Sequence, residues 1–178
     1  MLIDDIYAGF CNTKSDINEH IPTLSGYAHG KVVTEFGVRK GVSTAAFLAG
    51  RPKKLTSYDI NITRFNLGIM EAAKQAGLDF ALIQADVLDI SIEPTDILFI
   101  DTLHTYDQLI QELALHSEKV RDRIILHDTV SFRHVGEQLK GMKPSMGLYP
   151  AVTEFLETGW EIVREYKNNN GLMILGRT

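Results

Sequence analysis

Val32-Val33-Thr34-Glu35-Phe36-Gly37-Val38-Arg39-Lys40-Gly41-Val42-Ser43 is an apolar run that ends in an acid, two glycines and a serine before helix-forming residues resume. It reads as strand, tight loop and helix. Glycines at such a turn let backbone N–H groups approach a ligand closely, and the helix that follows aims its unpaired donors and its dipole at the same point. An anionic group is expected there. With Glu35 at the strand end to meet a cationic or hydroxylated group, and Ser43 placed to cap the helix, the loop suits a nucleoside that carries an amino acid.

Working outward, the same unit repeats. Before it, Asp16-Ile17-Asn18-Glu19 offers a helix start, Ile17, Ile21 and Leu24 recur at helical spacing, and Pro22 predicts a kink or break. The first strand is expected over 31–35 and its helix over 43–50. Leu55 to Asp59 is a second strand, followed by a helix with Phe65, Ile69, Ala72, Ala73 and Ala76 on one face. Phe80 to Gln84 leads to Asp86, Asp96 to Asp101 is apolar on both faces, and Arg123 to Asp128 forms a fifth strand after a helix from Tyr106 to about Lys119. Each strand ends near an acid.

Thr129 to Pro150 breaks this rhythm with three glycines and a proline before Pro150, and it reads as a long substrate loop with a helical hint at 135–139. Pro150 can start a helix carrying Ala151, Val152, Phe155 and Leu156, and 160–163 with 172–175 read as two strands around Asn168-Asn169-Asn170-Gly171. Five βα repeats closed by an antiparallel hairpin predict a single α/β domain over 1–178 with a doubly wound, mostly parallel sheet. Residues 1–30 are expected as a partial helical cap. Ligands of such sheets lie outside the carboxyl ends of the strands, where the named acids fall.

Composition narrows the partners. The chain has 178 residues, 44% of them hydrophobic, a formal charge of −5 and scattered basic residues, which disfavours a nucleic-acid groove and favours a small molecule. Its start lacks the pattern of a signal peptide, and no run approaches the roughly 18 apolar residues of a membrane span. Cys11 is alone, so no internal disulfide forms and a reducing cytoplasm fits. Oligomeric state is not legible, a homodimer being one option.

The stretch Glu35 to Ser43 resembles the first motif of class I S-adenosylmethionine-dependent methyltransferases, in the form found in small-molecule O-methyltransferases such as the catechol and caffeoyl-CoA enzymes. Asp59 matches the family's ribose-binding acid. Phe99-Ile100-Asp101-Thr102-Leu103-His104-Thr105-Tyr106, with Leu126-His127-Asp128-Thr129, is similar to the macrocin O-methyltransferase and cephalosporin-hydroxylase-like branch, and the tail from Trp160 to Leu175 fits it. The resemblance covers nearly the whole chain and implies a Rossmann-like methyltransferase sheet and O-methylation of a hydroxyl on a small molecule or sugar.

The resemblance and the residue chemistry together assign roles. Gly37, Val38 and Gly41 would pass under the methionine part of S-adenosylmethionine, Ser43 would bind its carboxylate, Asp59 its ribose, and Asp86 its adenine amino group unless Asp86 is only a turn residue. Asp101 lies in the same pocket. His104 occupies the place of the family's general base, against the alternative of a loop histidine capping the next helix. In metal-dependent relatives the positions of Asp101, His127 and Asp128 hold a divalent ion. His127 departs from the usual acid there, so magnesium would bind weakly and manganese, iron or zinc better, unless His127 and Asp128 only shape the pocket. Arg39 stands where many methyltransferases carry a third glycine, which argues against a pyrophosphate site. Competing readings are a non-catalytic module that binds S-adenosylmethionine or a nucleotide, and a nicotinamide-dependent oxidoreductase.

Overall fold

A computed structural model describes residues 2–138, 140–141 and 143–178. Its sheet has seven strands in the order β3-β2-β1-β4-β5-β7-β6. The elements run α1 (Ile3–Cys11), α2 (Ile21–Ala28), β1 (Val32–Phe36), α3 (Val42–Ala49), β2 (Lys54–Asp59), α4 (Leu67–Gln75), β3 (Phe80–Gln84), β4 (Thr95–Ile100), α5 (Tyr106–His116), β5 (Val120–His127), α6 (Leu148–Leu156), β6 (Trp160–Tyr166) and β7 (Leu172–Arg177). The first five strands are parallel, and β7 enters antiparallel between β5 and β6. This is the expected doubly wound, Rossmann-like sheet with its closing hairpin.

Strand β4 shows why the sheet is buried on both faces. Ile97 and Phe99 join one apolar cluster with Leu24, Phe47 and Ile69, while Leu98 and Ile100 join the other with Leu113 and Leu126. Successive side chains of a strand point to opposite faces, so a continuous apolar run requires helices on both. The strand order reverses direction between β1 and β4, which opens the crevice at their carboxyl ends.

Several local expectations are corrected. Residues 3–11 form a helix of their own, with Ile3 and Ile6 buried, and the first 30 residues pack largely under the sheet against α3. Among the described residues of this segment, Ser15, Asp16 and Ile17 line a small recess beside the crevice. Pro22 starts α2 instead of breaking a helix, because the missing N–H of proline costs nothing in a first turn. Phe65 precedes α4, whose cap is the Asn66 side chain accepting from the Gly68 N–H. No helix forms over the described part of 135–139, where Val135 bridges Met146, and Leu139 lies outside the described residues. Helix α6 already begins at Leu148, two residues before Pro150. Among the described residues no helix is long and apolar enough to cross a membrane.

Candidate active site

The loop after β1 is held from three sides. Gly37 has φ +84°, and a Cβ there would stand 2.0 Å from the Asp101 carbonyl oxygen, because its N–H bonds Tyr58 on one side while Asp101 N–H bonds Phe36 on the other. Only glycine fits. Gly41, also at φ +84°, caps α3, and a Cβ there would meet the Ile69 and Phe65 side chains at 2.6 and 2.7 Å. Asp59, at the tip of β2, accepts from the Val38 and Arg39 N–H groups at 2.8 and 3.1 Å and from Asn61 N–H at 2.8 Å. It fastens the glycine loop while lining the crevice.

Glu35 lies beneath this loop, fully buried, and does not face a ligand. Ser43 and Thr44 donate to it at 2.6 and 2.8 Å, and Ser57 of β2 donates to it as well. Burial pushes its carboxyl up to about 7 against the opposing pull of those hydroxyls. Two expectations change as a result. Glu35 staples β1, β2 and α3 together from inside, and Ser43 neither caps the helix nor has its proton free for a carboxylate, since Gly41 is the cap and Glu35 takes the hydroxyl.

A cavity of about 430 Å³ opens beside the loop, lined by Gly37, Asp59, Ile60, Asp86, Val87 and Leu103 and ending at Asp101, His104 and Glu137. Ligand pockets commonly fall in this size range, apolar with a few placed polar groups. Asp86 spends one oxygen on the Leu88 N–H at 2.9 Å, and His116 supports the adjoining wall from behind by donating Nε2–H to the Val87 carbonyl at 2.9 Å. A smaller recess of about 90 Å³ continues past Gly37 and Asp101 under Ser15, Asp16 and Ile17 to Val42 and Ser43 at the start of α3.

At the far end of the cavity two carboxylates meet two imidazoles. His104 Nε2 lies 3.1 Å from both Asp101 Oδ1 and Asp128 Oδ2, and His127 Nδ1 lies 3.3 and 3.5 Å from the same two atoms. Parallel pairing of β4 with β5 brings the two strand ends side by side. Asp128, just past β5, adopts φ +58°, a left-handed conformation that turns its carboxylate into the group. His104 stacks on Phe132 at 4.7 Å with planes 7° apart and turns its other nitrogen to Glu137 Oε2 at 2.8 Å. His127 turns its other nitrogen to the Asp16 carbonyl at 3.2 Å, and the Asp16 carboxylate pairs with Arg39 at 2.7 Å.

Burial alone would lower both imidazoles, but hydrogen bonds and charge from Asp101 and Asp128 outweigh it and raise His104 and His127 to about 10. Burial would likewise raise the two carboxyls, yet their imidazole partners hold Asp101 at about 2 and Asp128 well below the ordinary range. A raised imidazole contributes stability that is complete below its unfolded value near 6.5 and is lost as pH climbs through about 10. Glu35 and Glu112, both raised from 4.5 to about 7 by burial, push the same way, since only their unfolded forms ionise readily in that window. His20 and His116, lowered by burial, oppose this below 6.5. Four groups outweigh two, so the melting temperature of chelator-treated protein is expected to fall between about pH 5 and about pH 9, as scanning calorimetry would show.

The structure thus lines one crevice with Gly37, Asp59, Asp86 and Asp101, places Val38 in the adjoining recess, leaves Gly41 outside both linings against Phe65 and Ile69, and gathers Asp101, His104, His127 and Asp128 into one group. Within it, donor atoms of Asp101, His104 and Asp128 lie within 4.8 Å of one another, so His104 stands among the donors where the sequence suggested a separate base. Glu137, Phe132 and the Asp16 carbonyl carry no periodic signal and escape a reading of the sequence. Glu112 does leave one, as an acid on the buried stripe of α5 with Leu109, Leu113 and His116. It accepts from Thr102 and Gln108 behind His104, at 2.7 and 2.8 Å.

This strand order, with its reversed seventh strand and a glycine loop at the β1 switch point, defines the class I methyltransferase fold. The solved structures agree. The magnesium protoporphyrin IX methyltransferase of Synechocystis PCC 6803 with bound SAH superimposes with a TM-score of 0.66 at 12% identity, over 98% of this chain and 94% of that one. The N-methyltransferase NodS of Bradyrhizobium japonicum WM9 with S-adenosyl-L-homocysteine gives 0.64 at 16% identity, over 94% and 90%. The pyocyanin biosynthetic protein PhzM gives 0.58 at 16% identity over 89% of this chain, which spans about half of that protein, 53% of its length. No family model and no curated protein matches the sequence.

Proposed function

We propose that the protein is an S-adenosylmethionine-dependent methyltransferase that methylates a hydroxyl of a small molecule or sugar. One observation carries the reading: the crevice that runs from Asp59 past Gly37 ends on Asp101, the residue it shares with the two-histidine, two-aspartate group. Cofactor and reacting hydroxyl then meet at one wall. Asp59 keeps one lone pair, on Oδ1, for a ribose hydroxyl, Asp86 faces the adenine end, and the backbone N–H groups that open α3 take the role of carboxylate donors in place of the Ser43 hydroxyl. S-adenosylmethionine supplies a methyl group on a sulfonium, so the protein's task is to align a nucleophile and remove its proton.

That proton is lost at the group formed by Asp101, His104 and Asp128. With His104 held protonated by its two carboxylates, it can accept a second proton only where other positive charge has replaced the first. Asp101, His104 and Asp128 could hold a divalent ion, which would supply such charge and acidify a coordinated hydroxyl. Incubating the protein with small-molecule extracts and methyl-deuterated S-adenosylmethionine tests the class of acceptor by mass spectrometry. Label on an oxygen, reduced by about 100-fold or more in Asp101→Asn, is the expected result. Label on nitrogen or carbon would overturn the hydroxyl reading.

A further inference from the structure

Glu112 is a carboxylate on the buried face of α5, where an apolar side chain would escape the cost of desolvation, and its neighbours show what it holds. Gln108, Glu112 and His116 recur at every fourth residue, so they form one polar stripe along the helix beside Leu109 and Leu113. The stripe backs the large cavity. Gln108 lines that cavity, as does Thr102 just past β4, and His116 braces the Val87 carbonyl of the same wall at 2.9 Å. Glu112 itself is 0% exposed and takes the Thr102 hydroxyl at 2.7 Å and the Gln108 amide at 2.8 Å on a single oxygen, Oε1.

A hydroxyl has one proton, and a primary amide carries its donors on nitrogen alone. With its proton given to Glu112, Thr102 offers a ligand only lone pairs, and Gln108 is held with Nε2 inward and its carbonyl oxygen as the end left for the cavity. Asp86, on the same wall, is an acceptor too, with one oxygen spent on the Leu88 N–H. This polarity does not depend on the charge of Glu112. Burial raises its carboxyl to about 7, and because Oε1 already receives two donors, a proton taken up sits on Oε2, which is buried with no hydrogen-bond partner among the described residues. We infer that Glu112 is a positioning residue that fixes Thr102 and Gln108 as acceptors, so that the cavity selects a nucleoside base bearing an exocyclic amine over one bearing a carbonyl at the same place. An amine donates to such a wall, whereas a carbonyl oxygen there meets lone pairs and leaves the wall unpaired.

This deepens the cofactor reading above and rests on it for the ligand, so the quantity measured is a ratio of affinities and not turnover. The full-length protein is titrated by calorimetry with S-adenosylhomocysteine and with S-inosylhomocysteine, which differ only in a 6-amino against a 6-oxo base. Expected is a preference of at least about 100-fold for the amine. In Glu112→Leu, checked for folding by circular dichroism, the preference is expected to shrink by about tenfold or more, while Glu112→Gln, whose amide oxygen can still accept from both partners, stays within about threefold of the wild type. Gln108→Leu leaves the buried carboxylate in place and removes one acceptor from the cavity wall, and a loss of about threefold or more in the preference is expected. A wild-type preference below about tenfold, an unchanged preference in either folded leucine variant, or an equal loss in Glu112→Gln and Glu112→Leu would each overturn the inference and leave the cofactor reading standing. Binding of neither nucleoside would overturn both.

Discussion

Gly37→Ala is expected to weaken S-adenosylhomocysteine binding by about 100-fold or more and to destabilise the protein by about 3 kcal/mol. Alanine at φ +84° sits in the left-handed region, at a cost of roughly 1–2 kcal/mol. The larger part is overlap. A Cβ 2.0 Å from the Asp101 carbonyl meets backbone one residue past the central strand β4, which cannot turn aside as a side chain would. Relief requires the ends of β1 and β4 to separate, and that moves the loop over the cavity and Asp101 at its end together. Calorimetric titration and thermal melting of the variant check both halves, and unchanged binding would contradict the geometry of the cradle.

The second large effect is expected at Glu35. Glu35→Ala leaves the hydroxyls of Ser43, Thr44 and Ser57 buried without their acceptor, each at a cost of roughly 1–3 kcal/mol. Part of this is returned, because the carboxyl itself is buried unfavourably, as its rise to about 7 records. The net loss expected is about 3 kcal/mol, or a fall in melting temperature of about 6–12 °C for a chain of this size. Glu35 does not line the cavity, so S-adenosylhomocysteine affinity in the folded fraction should change far less than in Gly37→Ala. A binding loss as large as that of Gly37→Ala, with stability intact, would return Glu35 to the ligand.

Much of this was legible in the sequence, for identifiable reasons. Buried parallel strands such as 95–100 announce themselves as apolar runs, and glycines at tight turns mark the strand-to-helix loops, so the order of elements and the crevice could be read. Side-chain direction could not. Glu35 reads as a strand-end acid aimed at a ligand, yet it occupies the last position but one of β1, and the pleat points it down onto α3. His104 and His127 were legible as chemical groups. Their pairing depends on the register of β4 against β5, and their outward partners come from Glu137 and Asp16, on segments with no periodicity. The separate helix over 3–11 leaves little signal of its own, because Ile3 and Ile6 form too short a pattern to stand out.

The central claim is that the crevice between β1 and β4 holds S-adenosylmethionine. Calorimetric titration of the wild-type protein with S-adenosylhomocysteine and, separately, with NADH tests it most directly. The expected result is saturable, one-to-one binding of S-adenosylhomocysteine with no heat from NADH. Tight NADH binding with no response to S-adenosylhomocysteine would contradict the account.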